Sequence, residues 1–92
     1  MFNQKRRYLI VEENDVTTVL AAINRNQGLF SNNDQNIGPC GWAKEPSKWF
    51  VHFHASDKRW GKIARELSKI GKLYVNVTPG GATDLYFMRN EL

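Results

Sequence analysis

Hydrophobic positions along the chain alternate between stretches of period two and stretches of period 3.6. Tyr8-Leu9-Ile10-Val11 is a run of β-formers bounded by charge on both sides, which predicts a first strand. Asn14 or Asp15 then offers a helix N-cap. Val16, Val19, Leu20 and Ile23 recur at i, i+3, i+4 and i+7, supported by Ala21 and Ala22, and predict a helix over 15–27. Gly28 is its expected C-terminal stop. Residues 28–41 carry no clear period. Pro39 cannot donate to a ladder, so any strand there lies at an edge or begins after it. Trp42 to Lys44 and Lys48 to Ala55 read as two strands joined by Glu45-Pro46-Ser47. The second, KWFVHFHA, has the strongest strand pattern in the chain, with Trp49, Val51 and Phe53 alternating against Phe50, His52 and His54.

Ser56 or Asp57 caps a second predicted helix, whose apolar face is Trp60, Ile63, Ala64, Leu67 and Ile70. Gly61 inside it costs about 1 kcal/mol relative to Ala, which points to close packing there or a frayed first turn. Gly71 is the expected C′ residue. Leu73 to Val77 forms the next strand. Residues 78–84 form a loop, and Leu85 to Met88 a last strand paired as a hairpin with the one before.

The order β-α-β-β-α-β-β predicts an α+β fold, a ferredoxin-like split β-α-β sandwich (βαββαβ plus a C-terminal hairpin strand). Both helices would cover one face of an antiparallel sheet, with the first and third strands antiparallel at its centre. A different α+β sandwich with a C-terminal meander is the alternative. Strand parity assigns Leu9, Val11, Trp49, Val51, Phe53, Leu73, Val75 and Val77 to the helix-covered face. The other face then carries Tyr8, Ile10, Glu12, Lys48, Phe50, His52, His54, Tyr74 and Asn76.

Composition narrows this picture. Ninety-two residues make one domain, 1–92, with 1–6 as a flexible basic arm. One cysteine, Cys40, excludes an internal disulfide and a thiolate zinc cluster, and suggests a reducing, cytoplasmic setting. Four apolar residues after the basic start are too few for a signal peptide or a membrane span. The net charge of +4 is mild but concentrated: six of the 13 cations lie between Lys58 and Lys72, and three more at 5–7. An acidic partner is expected, either nucleic acid or protein.

An aromatic, partly polar sheet face with cations nearby has the chemistry that holds single strands, because bases stack on rings and cations meet phosphates. Here the chain resembles RNA-recognition-motif domains. Trp49-Phe50-Val51-His52-Phe53 looks like the second half of that family's third-strand signature, which places Phe50 at a base-stacking position and Val51 and Phe53 at core positions. Arg7-Tyr8-Leu9 resembles the first-strand signature, with Tyr8 at its stacking position. The chain departs from the pattern at Lys48, where the other third-strand aromatic belongs, and at Val11, where a polar residue is usual. It also lacks the Gly-rich start and carries an extra terminal hairpin. The likeness spans about ten residues and implies a shared fold with similar decoration.

The same face would serve as a dimer interface, or could be covered by a terminal segment. Lys58, Lys62, Arg65 and Lys69 form one stripe on the second helix, fit to track a phosphate backbone or an acidic protein, or simply solvated. His52 and His54 share a strand face and could hold two sites of a metal, but a catalytic site needs a third ligand, and only Glu12 or Asn76 is at hand. Cys40 has no histidine near it in sequence, and the loop 78–83 lacks the lysine and following helix of a phosphate-binding loop. Three readings result. The first is a non-enzymatic module binding single-stranded nucleic acid through Tyr8, Phe50, His52, His54 and Tyr74 with the basic stripe. The second is a homodimeric protein-interaction, accessory or inhibitor protein. The third is a small metal-dependent enzyme using His52 and His54. No cofactor, catalytic residue or resident metal is assigned.

Overall fold

The computed structural model describes residues 4–30, 37–39, 48–77 and 80–90. β1, Lys5–Glu12, is longer at both ends than the apolar run that announces it. Its charged start is held in the sheet by partners beyond the strand. Arg7 Nε donates to the Ala55 carbonyl at 2.9 Å, and Lys5 and Arg7 both bind the Asp57 carboxylate, at 3.0 and 2.7 Å. Lys5 and Arg6 are therefore ladder residues, not part of a flexible arm; residues 1–3 lie outside the described residues.

A single 3-10 turn, Glu13–Asp15, leads into α1, Val16–Arg25. Asp15 stands at the N-cap but makes no side-chain capping bond. At the other end Gln27, not glycine, adopts the left-handed conformation (φ 62°). The Gln27 N–H donates to the Asn24 carbonyl and the Gly28 N–H to the Ile23 carbonyl, the paired bonds of a Schellman motif. Gly28 is thus one position past the residue it was expected to be. Its role is steric: a Cβ there would lie 2.3 Å from Ile23 Cγ2.

β2, Ile37–Pro39, lies at the sheet edge, where Pro39 confines it. The strand expected at 42–44 and its turn at 45–47, like Cys40, lie outside the described residues. β3, Lys48–Ala55, has the bounds its alternation predicts. α2, Asp57–Ser68, is capped by Ser56, whose hydroxyl accepts from the Arg59 N–H. β4, Gly71–Val77, and β5, Thr83–Arg89, form the C-terminal hairpin, with Leu73 opposite Phe87 and Tyr74 opposite Tyr86. Gly71 is the first residue of β4, not a helix stop. A Cβ there would sit 2.4 Å from the Met88 carbonyl and 2.6 Å from the Phe87 ring.

The molecule is an α+β protein with strand order β2-β3-β1-β5-β4. β1 and β3 pair antiparallel from Lys5↔Ala55 to Glu12↔Lys48, as expected. The expectation of a wholly antiparallel sheet fails on the other side of β1, where β5 runs parallel, with Ile10 opposite Tyr86. The hairpin docks through its second strand, which reverses the direction offered to β1 and leaves β4 at the edge. Phe87 of β5, 2% exposed, is the large hairpin side chain that the core takes in.

Leu9 and Val11 of β1, Val51 and Phe53 of β3, and Phe87 of β5 pack against Val19 and Ile23 of α1 and Ile63 and Leu67 of α2. Both helices therefore cover one face, and each fully buried aliphatic or aromatic contributes about 1.5–3 kcal/mol. Val75 and Val77 lie on that face by register but remain 62% and 64% exposed. They sit on the edge strand, where Val75 lines an open cleft beside Trp60 and Leu85.

Candidate nucleic-acid interface

The β1–β3 register puts Arg6 opposite His54, Tyr8 opposite His52, Ile10 opposite Phe50 and Glu12 opposite Lys48, all on the face away from the helices. The link between Ile10 and Tyr86 adds Asp84, Tyr86 and Met88 of β5, and the hairpin register adds Lys72, Tyr74 and Asn76 of β4. Tyr8, Phe50, His52, His54 and Tyr74 are thus brought onto one surface. Tyr86, Arg6 and Asp84 join them unanticipated. Alternation within β5 would have paired Tyr86 with Asp84, but their face depended on a strand pairing that local pattern does not carry.

The aromatic groups are ordered by specific contacts. Tyr74 and Tyr86 stack, with ring centroids 5.3 Å apart and planes inclined by 18°. Tyr8, 40% exposed, donates its hydroxyl to Asp84 Oδ1 at 2.6 Å. That bond raises the Tyr8 pKa above its usual value, with burial and the Asp84 charge acting in the same direction. Asp84 is a buried carboxylate (6% exposed), and the phenol meets the requirement that such a group be hydrogen-bonded. Arg6, Tyr8, Phe50 and His52 line a shallow hollow of about 180 Å³ at the centre of the face.

The cations differ in what they can do. Lys48 binds Glu12 at 2.6 Å and lies 6.0 Å from the Tyr86 ring centroid, so it is engaged within the surface. Arg6 is exposed but donates from Nε to His52 Nε2 at 2.5 Å. An imidazole nitrogen that accepts from a guanidinium has its lone pair occupied and is not presented to a metal. The His52 and His54 ring centroids are 6.1 Å apart. Among the described residues no group of three His, Cys, Asp or Glu is placed to hold a metal ion.

The basic stripe is real but elsewhere. α2 buries Ile63 and Leu67 against the sheet, and Lys58, Lys62, Arg65 and Lys69 fall on its opposite, exposed side. Sheet face and stripe are separated by the helix layer and do not form one site, contrary to the combined surface expected. Arg7, the remaining basic residue near the cleft, is occupied by Asp57 and Ala55 and lies 5.6 Å from the Trp60 ring centroid. Among the described residues no helix is long and apolar enough to cross a membrane. No family model, curated protein or solved structure matches the chain, so its function has to be sought in these surfaces.

Proposed function

We propose that the chain is a small non-enzymatic module that binds single-stranded nucleic acid on the open face of its sheet. The observation that carries this reading is the gathering of Tyr8, Phe50, Tyr74 and Tyr86 on one face that neither helix covers, with Arg6 and Lys72 among them. Aromatic faces accept any base by stacking, and each stacked base contributes about 1–3 kcal/mol. The cations supply the phosphate contacts. The same reading takes the fold as a ferredoxin-like split β-α-β unit closed by a hairpin instead of a single strand, acting in the cytoplasm.

The competing reading is a homodimer through this face. Exposed Met88 and Tyr8 favour it. Ile10 argues the other way: it is 1% exposed in the single chain, flanked in register by Phe50 and Tyr86, so the apolar centre of the face is already closed without a partner.

Fluorescence anisotropy with a labelled oligothymidylate tests the proposal. Binding should be measurable at low salt and fall as salt rises, by about 0.7 in log affinity per log salt for each phosphate contacted. The double variant Tyr8→Ala/Tyr86→Ala should weaken binding by at least about tenfold, whereas Tyr8→Phe, which keeps the ring, should retain it. Absence of binding at low salt overturns the reading. A sedimenting dimer that the double variant dissociates establishes the alternative.

A further inference from the structure

The outward side of α2 faces a groove whose other wall is the C-terminal turn of α1. At one end Arg25, Lys58 and Lys62 line a hollow of about 410 Å³. Its continuation, about 330 Å³, shares Asn26 and Lys62 and adds Arg65 and Lys69. Lys58, Lys62, Arg65 and Lys69 follow one another at four-, three- and four-residue steps, so the row runs about 16 Å along the helix. A duplex carries one phosphate per about 3.4 Å of each strand, so the row faces several of them.

The nearby acids do not cancel this charge. Glu66, on the groove wall, accepts from Arg25 Nε at 2.7 Å and from Asn26 Nδ2 at 2.9 Å. Asp57 is paired with Lys5 and Arg7. The four residues of the row are exposed.

We propose that this groove holds the phosphate backbone of a nucleic-acid duplex while the sheet face holds a single strand, so that one molecule bridges two segments. The bridging rests on the reading of the sheet face; the groove rests on its own charge and shape. The two surfaces lie on opposite sides of a molecule whose shortest dimension is 24 Å, far enough apart for both to be filled at once.

The test compares three forms of the full chain: wild type, Lys58→Gln/Lys62→Gln/Arg65→Gln/Lys69→Gln, and Tyr8→Ala/Tyr86→Ala. Each is titrated with a labelled 20-base-pair duplex, with oligothymidylate, and with polyglutamate as competitor. Circular dichroism checks that each form is folded. The quadruple variant should lose at least about tenfold in duplex affinity at low salt, and its salt slope should fall by about one for each cation removed. The tyrosine variant should bind duplex as wild type does and lose oligothymidylate. An immobilised duplex should capture labelled oligothymidylate only when wild-type protein is present. Duplex binding that is absent, or unchanged in the quadruple variant, overturns the groove. Polyglutamate competing at lower concentration than duplex also overturns it, because the occupant would then be an acidic polypeptide. Failure of oligothymidylate alone overturns the sheet-face reading and the bridging together, and is distinguished by duplex binding that still depends on the stripe.

Discussion

A methyl group added at Gly61 would meet nothing within 4 Å, whereas one added at Gly28 would come within 2.3 Å of Ile23 Cγ2. The same substitution therefore has opposite signs at the two positions. Gly61 lies exposed inside α2, so Gly61→Ala removes only the backbone-entropy penalty and should stabilise the chain by about 1 kcal/mol. Gly28→Ala should destabilise by about 1–3 kcal/mol, because Ile23 belongs to the core and cannot yield freely. Thermal denaturation separates these outcomes, since 1 kcal/mol moves Tm by about 4–8 °C in a domain of this size. Of the two expectations at Gly61, close packing or a frayed first turn, close packing fails, because the direction of Gly61 on the helix is fixed by the rotation of α2 over the sheet. That rotation is set by Ile63 and Leu67.

At the scale of elements, the first half of β1 is the segment most dependent on charge. Lys5 and Arg7 converge on Asp57 at the start of α2 and lower its pKa below the ordinary carboxylate value, the hydrogen bonds from Lys5 and Arg7 being the leading causes. A depressed carboxylate contributes stability above its unfolded pKa and loses it as the pH falls through the folded value. Wild type should therefore be more stable than Asp57→Asn at about pH 6, and the two should converge at about pH 2, where the carboxylate is protonated. Comparing thermal unfolding of both proteins at the two pH values checks this; a difference that persists in acid would mean that Asp57 acts through packing or helix capping. Tyr8 has the opposite sense. Its raised pKa keeps the phenol protonated in the folded chain, so its bond to Asp84 is intact below about pH 10 and weakens as the pH rises through the folded value.

Over the whole molecule, one small core serves both faces. Phe53 is fully buried and lies 6.0 Å, centroid to centroid, from Trp60. Phe53→Ala should cost about 3–5 kcal/mol. Domains of this size have about 5–14 kcal/mol in total, so a urea titration of this variant should show its midpoint reduced by about a fifth or more. Either proposed binding surface is built on that core, and the buried side chains of the sheet face are Ile10, His52 and Asp84. Binding variants along the stripe should therefore leave the urea midpoint close to that of wild type.

The chain's own periodicity determined its helices, its main strands and the two-faced character of β1 and β3. In these elements a side chain's direction follows from the local backbone repeat, and Leu9, Val11, Val51 and Phe53 needed burial whatever the topology. Ser56 as a cap and Pro39 at an edge were legible for the same local reason. Tertiary structure alone decided that β5 docks beside β1 and runs parallel to it. Both strands of the hairpin alternate in hydrophobicity, so the local pattern does not distinguish which of them joins β1. That choice gave Asp84 to Tyr8 and left Val75 and Val77 at an edge. Local pattern decides which face of an element is apolar. Which elements share a surface depends on contacts between residues distant in sequence, and so had to be read from the folded chain.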